Sequence, residues 1–152
     1  MIRFNTKSFG DLSTQELYEL LHLRSEVFVV EQNCAYADPD NKDQDCLHVM
    51  GFDGARLAAY ARLVPPGLAY DSTAIGRVAV AGAFRRHGYG KELMRYCMSE
   101  CLRHFSTDRI TISAQQYLER FYTELGFVTK SDVYPEDGIP HIKMNYHASS
   151  SD

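Results

Sequence analysis

The chain has 152 residues, 45% hydrophobic and 24% charged, with 16 basic and 20 acidic side chains for a formal charge of −4. At about 100–200 residues per domain this is one domain, long enough to bury a core without disulfides or metals. The acidic balance argues against a general nucleic-acid binder, which needs a basic face; no segment reaches the ~20 apolar residues of a membrane helix; and the opening MIRFNTKSFGDLST lacks the basic-then-apolar order of a signal peptide, so the expected location is the cytoplasm.

In chain order, Ser13 with Glu16 three residues later reads as a capping box. Leu17, Leu20, Leu21 and Arg24 follow at helical spacing, and Val27, Phe28, Val29 and Val30 extend the apolar run, so one or two helices are expected. The stretch Asp38 to Asp45 resembles a calcium loop only superficially. Lys42 stands where a ligand oxygen belongs, Asp43 replaces the glycine and Val49 the closing Glu, and a solvated acidic loop is expected. Leu47 to Phe52 and Arg56 to Val64 are strand-like around the turn signal Asp53-Gly54. Pro65-Pro66-Gly67 ends that hairpin, and Ala74 to Ala81 is a further strand with Val78 and Val80 on one face.

From Gly88 the period becomes helical. Leu93, Met94, Cys97, Met98, Cys101, Leu102 and Phe105 form one stripe. Arg109 to Ala114 alternates as a strand, and Gln116 to Leu125 is a short helix ended by Gly126. Phe127 to Tyr134 and His141 to Tyr146 are expected strands around a loop at Pro135 to Pro140, and Ala148 to Asp152 is an expected disordered tail after a domain spanning 1–147. Cys34, Cys46, Cys97 and Cys101 form no CxxC pair and read as free thiols. Cys34, Cys46 and His48 lack a standard zinc spacing, so no metal is expected.

The chemistry is concentrated where Val78-Ala79-Val80 runs into Arg85-Arg86-His87-Gly88-Tyr89-Gly90-Lys91. Unbonded amides and the positive end of the dipole make a helix start an anion site, and the glycines let a ligand approach the backbone. The P-loop pattern fails because Arg85 stands where its first Gly belongs and Glu92 replaces Ser/Thr. The dinucleotide fingerprint fails because Leu93 occupies its third small position. Arg-x-x-Gly-x-Gly remains, and here the sequence resembles the GCN5-related N-acetyltransferases (GNAT), whose acetyl-CoA loop reads (Gln/Arg)-x-x-Gly-x-(Gly/Ala). Gln115, Leu118, Tyr122 and Gly126-Phe127 fit that family's second motif, and the segments Leu23 to Tyr36 and Glu136 to Ile142 look like its ElaA-type branch, with Ala35 where Pro is usual.

The resemblance implies an α/β fold: one domain with a mixed, mostly antiparallel twisted sheet and helices on both faces, the acyl-CoA N-acyltransferase fold. It implies acetyl-CoA as co-substrate, with the pantetheine arm beside Val78 and Val80 and in contact with Gln115. The pyrophosphate would rest on amides of Arg86, His87, Gly88, Tyr89, Gly90 and Lys91, and Arg85 would support the loop. A primary amine of a small molecule or peptide would attack the thioester directly. The Val80 amide would hold the oxyanion and Tyr122 would act as general acid. The base stays open among Glu31, His48, His141, Glu136 and Asp137. Arg24, Arg62 and Arg77 stand in or beside apolar runs, and either pair with buried acids or hold an acidic substrate. A non-catalytic acyl-CoA-binding sensor or interaction module is the alternative, a nucleotide-binding regulator a third reading, and a homodimer the base-rate assembly.

Overall fold

The computed structural model describes residues 1–148 and opens on a strand beyond those expected. In Ile2–Ser8 (β1), Ile2, Phe4 and Thr6 alternate with Arg3, Asn5 and Lys7, the period of a half-buried strand. Helix α1 (Thr14–Arg24) follows behind the expected box: the Glu16 amide donates to Ser13 Oγ at 3.0 Å and the Ser13 amide to Glu16 Oε1 at 2.8 Å. The helix runs on through a π-helical turn at Ser25–Val30, where the Glu31 amide donates to the Glu26 carbonyl at 2.9 Å. Such wide turns often present side chains at functional sites.

Strands β2 (Leu47–Asp53), β3 (Arg56–Val64) and β4 (Thr73–Val80) form the expected meander. Helix α2 (Tyr89–Phe105), strand β5 (Arg109–Gln115) and helix α3 (Glu119–Glu124) follow, the last preceded by a 3-10 turn at Gln116–Leu118. The C-terminal part differs from expectation. Phe127 to Tyr134 holds the two-residue strand β6 (Val128–Thr129) and only the first residue of β7 (Tyr134–Glu136), which takes in Pro135-Glu136 of the expected loop. A tight turn at Asp137-Gly138 leads into β8 (Ile139–His147), where an open loop was expected. The Ala148 amide donates to the Asp108 carbonyl at 2.8 Å; the rest of the expected tail, residues 149–152, lies outside the described residues.

The sheet order is β1-β2-β3-β4-β5-β8-β6, with β7 also on β8. Every pairing is antiparallel except β4 with β5. Alternation along the strands splits the core into two layers. Val49, Ala59, Ala61, Leu63 and Ile75 pack with Leu93, Met94 and Cys97 of α2, whereas Met50, Tyr60 and Ala79 pack with Leu20 and Leu23 of α1. The expected mixed α/β sheet with helices on both faces is therefore present. Cys97 and Cys101 are buried in the α2 stripe, and all four thiols are free.

The acidic loop is solvated only in part, at Pro39, Asn41, Gln44 and Asp45. Asp38 and Asp43 are buried against arginines from three elements on the α1 face. Arg24, fully buried on α1, donates to Asp38 Oδ2 at 2.7 Å and Asp43 Oδ1 at 2.8 Å. Arg62 on β3 grips both oxygens of Asp40 at 2.8 Å and reaches Asp43 Oδ1 at 2.9 Å. Arg77 on β4 donates to Asp38 Oδ1 at 2.7 Å and to the Asp38 carbonyl at 2.9 Å. Three guanidinium groups thus balance three carboxylates. Burial alone would raise the Asp40 and Asp43 carboxyls, but the arginines hold both below the usual range.

Candidate active site

Arg77 is the irregular residue of β4. Tyr60 pairs with Ala79 and Arg62 with Gly76, so β4 carries one extra residue, and Arg77 takes φ 52°, in the left-handed region. The bulge keeps Ile75, Val78 and Val80 on the α2 face while Arg77 reaches the carboxylates on the other. It also ends the pairing with β5, whose register covers only Thr73↔Ile110 and Ala74↔Thr111. Beyond it β4 and β5 diverge and leave a gap in the sheet.

The gap opens into a cleft of ≈ 940 Å³ between Val78 and Val80 on one wall and Gln115, Leu118 and Phe121 on the other. Its floor is the turn into α2. Gly88 precedes the helix at φ 76°, a conformation that glycine adopts without strain. The Glu92 amide bonds the Gly88 carbonyl at 3.2 Å, so the amides of Tyr89, Gly90 and Lys91 precede the first helical bond. Arg85, Arg86, Lys91 and Arg95 line the same cleft. Loop and hairpin are tied together where Tyr89 donates to Asp53 Oδ2 at 2.6 Å.

Val80 ends β4 with its peptide at the gap. The Ala81 amide donates to the Ala58 carbonyl at 2.8 Å. Amides alternate in direction along an antiparallel ladder, so the Val80 N–H points away from β3, toward the cleft. Its carbonyl accepts from Arg85 Nε at 3.0 Å, and Arg85 Nη2 reaches Glu31 Oε1 at 2.5 Å.

On the other side of the gap lies a smaller pocket of ≈ 120 Å³. Phe28 from the π-helical segment and Gln32 just after it, with Val78, Gln115, Leu118 and Tyr122, line both compartments. Tyr122 on α3 is 7% exposed and packs edge-on against Phe121 and Phe127 with ring centroids 5.0 and 5.9 Å away. Its hydroxyl has no hydrogen-bond partner among the described residues, and burial raises its pKa, so the phenol stays protonated.

The base candidates separate in space. His48 lines neither compartment; it is buried with Nε2 donating to the Asp43 carbonyl at 2.9 Å and Nδ1 accepting from Tyr60 at 2.6 Å. Both nitrogens are engaged, so it is a structural histidine. Glu31 lines the large cleft but is paired with Arg85. His141 lines the small pocket beside Glu136 and Asp137 and is 6% exposed. Its Nδ1 donates to the Ile139 carbonyl at 2.7 Å, which leaves the Nε2 lone pair of the neutral ring, 3.5 Å from Glu136 Oε2. Ser113 donates to Glu136 Oε1 at 3.0 Å. The β7–β8 hairpin and the bulge, which bring these groups together, were not read from the sequence.

Burial lowers the His48 pKa. Its contribution to stability is complete above the unfolded value of ~6.5 and is lost as pH falls below that toward the lower native value. The urea midpoint should therefore drop between pH 7 and pH 5, with a shallower drop in His48→Gln. Parallel slopes for the two proteins would show that His48 is not held neutral.

A sequence model of the acetyltransferase (GNAT) domain matches residues 11–148. The chain belongs to this family. It is 40% identical to protein ElaA of Escherichia coli over 146 residues, 95% of each chain. The crystal structure of Escherichia coli ElaA superposes with a TM-score of 0.90 at 39% identity, covering 97% of this chain and 100% of that one. An acyl-CoA N-acyltransferase from Pseudomonas aeruginosa superposes with a TM-score of 0.91 at 39% identity, covering 96% and 99%. The protein is thus a GNAT member of the ElaA type, with the acyl-CoA N-acyltransferase fold.

Proposed function

We propose that the protein transfers the acetyl group of acetyl-CoA to a primary amine by direct attack within a ternary complex. The observation that carries this reading is the position of Tyr122, buried and unpartnered where the large cleft meets the small pocket. The residues of the large cleft fit a coenzyme A thioester. Unbonded amides at the α2 start and nearby cations suit a pyrophosphate, and the unpaired edges of β4 and β5 suit the amides of a pantetheine arm.

An ammonium must lose a proton before it can attack. His141 Nε2, its tautomer fixed by the Ile139 carbonyl, is the proposed acceptor of that proton, with Glu136 alongside to stabilise the imidazolium. The amine lone pair forms the new C–N bond at the thioester carbonyl carbon. The Val80 amide donates to the oxygen that gains charge. As the C–S bond breaks, the Tyr122 hydroxyl gives its proton to the leaving sulfur, and the phenolate takes back the surplus proton of the newly bonded nitrogen, while His141 returns the first proton to solvent. Glu31 holds Arg85, which in turn fixes the Val80 peptide; it is a positioning residue.

Free thiol release from acetyl-CoA upon addition of primary amines tests the reading. Thermal stabilisation by acetyl-CoA and CoA without thiol release from any amine would favour the non-catalytic acyl-CoA-binding module instead.

The cleft predicts a tolerance at its floor. A Cβ on Gly90 would stand 3.7 Å from Phe121 Cζ and 3.9 Å from Val80 Cγ2, ordinary contact distances. Gly90→Ala should keep acetyl-CoA affinity within about threefold and gain up to ~0.5–1 kcal/mol of helix stability. Gly90→Leu fills the space between those side chains and should weaken binding at least tenfold, about 1.4 kcal/mol, while the protein still folds. Calorimetric titration checks both; an unaffected Leu variant would move the ligand off this wall.

A further inference from the structure

We infer, on the basis of the acyltransferase reading, that the acceptor is a short aliphatic amine carrying a second positive charge, of the diamine class, rather than an amino acid with a free carboxylate. The small pocket is the acceptor side of the cleft in that reading, and its charge is one-sided. Arg77 lines it but is already paired, with Asp38 at 2.7 Å and Asp40 at 3.6 Å. The carboxylates that line it, Glu136 and Asp137, have no arginine or lysine partner among the described residues. Glu136 meets only the Ser113 hydroxyl and His141, and Asp137 makes no ion pair.

A second, independent feature points to a ligand there. His141 and Tyr122 are each more than nine-tenths buried and line this pocket, yet among the described residues the Tyr122 hydroxyl makes no hydrogen bond and His141 Nε2 has only Glu136 Oε2 beside it, at 3.5 Å. They mark the position of the reacting nitrogen. Glu136, 3.5 Å from His141, lies beside it, while Asp137 at the turn φ of 52° carries the next negative charge. A dication therefore finds two carboxylates, one for each end.

Size agrees with charge. A volume of ≈ 120 Å³ is slightly below the ~150 Å³ cavity that holds one benzene. It takes a chain of about six heavy atoms at most before the acceptor must extend through the open mouth. The second charge also helps the chemistry. A neighbouring ammonium disfavours protonation of the first, so the attacking nitrogen loses its proton more easily. A carboxylate at the far end would face Glu136 and Asp137 with no uncommitted arginine or lysine among the residues that line the pocket to offset the repulsion. The loop Asp38 to Asp45, which the sequence suggested as a source of cation preference, supplies none of this, because its buried carboxylates are taken by the arginines.

The test compares three acceptors of equal chain length, butane-1,4-diamine, butylamine and 4-aminobutanoate, by thiol release at saturating acetyl-CoA. The expected order of kcat/KM is diamine, then butylamine, then aminobutanoate, with at least tenfold between first and last. In Asp137→Asn the advantage of the diamine over butylamine should narrow several-fold, through KM rather than kcat. Thermal stabilisation by acetyl-CoA serves as the folding control for that variant. Aminobutanoate equal to or better than the diamine overturns the acceptor assignment and leaves the acyltransferase reading intact. An unchanged diamine preference in Asp137→Asn overturns the role of that carboxylate. Thiol release from none of the three, nor from any other amine, overturns both readings together.

Discussion

Replacing Tyr122 with Phe should lower kcat by 10²–10⁴-fold, roughly the range that a positioned general acid contributes, while the dissociation constant of acetyl-CoA changes only a few-fold. The substitution removes one oxygen and keeps the ring, so the edge-on contacts with Phe121 and Phe127 persist. The hydroxyl makes no internal hydrogen bond, so its loss leaves nothing unsatisfied and stability should move by less than about 1 kcal/mol. The sign of the pKa shift matters here. Burial raises the phenol above its ordinary value of 10.0, so the donor stays loaded and the rate should show no alkaline fall assignable to Tyr122 below pH 10. Steady-state thiol release beside calorimetric binding separates the possibilities. Equal loss in rate and binding would make Tyr122 a wall of the cleft rather than a proton donor.

The second large effect concerns stability. Asp43→Ala should cost about 3–5 kcal/mol, the usual penalty for removing one partner from a buried ion pair. Asp43 Oδ1 accepts from both Arg24 and Arg62. Without it, three guanidinium groups share two carboxylates, and Arg24, with no exposed surface, cannot turn to water. For a domain of this size each kcal/mol moves the melting temperature by roughly 2–4 °C, so a fall of about 10 °C is expected. The native Asp43 carboxyl lies below its unfolded value of about 3.9. Its contribution is full above that value and fades as pH falls toward the native one, so the gap between wild type and variant should close in acid. Chemical denaturation at pH 7 and pH 3 measures both. A cost below 1 kcal/mol at pH 7 would put the cluster with solvent-exposed ion pairs.

Local signals carried much of the fold. The Ser13–Glu16 box, the Asp53-Gly54 turn, the α2 stripe and the Gly126 stop each depend on neighbours within a few positions, and each falls where the sequence put it. Strand β1 had the same kind of signal in its period-two alternation, which went unread beside the question of a leader peptide. The bulge was a different matter. Nothing adjacent to Arg77 announces a left-handed residue inside a strand; its cause is an ion pair with Asp38, 39 positions away. The same holds for Arg24 and Arg62, whose partners lie 14 to 22 positions off. In the site, the glycine loop and the Gln115-to-Phe127 motif were legible because a contiguous backbone builds them. The base was not, because His141 and Glu136 meet across a hairpin whose turn, Asp137-Gly138, carries no flanking strand pattern strong enough to mark it.

The two-residue register between β4 and β5 has a consequence for how the molecule opens. It joins two antiparallel blocks, one built on the β1–β2, β2–β3 and β3–β4 ladders and the other on the β5–β8 ladder, all longer than the junction. Cooperative units of unfolding follow such continuity, so the blocks are natural foldons and the boundary between them is a weak line through the middle of the sheet. A ligand in the gap touches both blocks at once and acts as a rivet across that line. Amide exchange in the unliganded protein should then be fastest along the facing edges of β4 and β5, and occupancy should slow it there before it slows anything else.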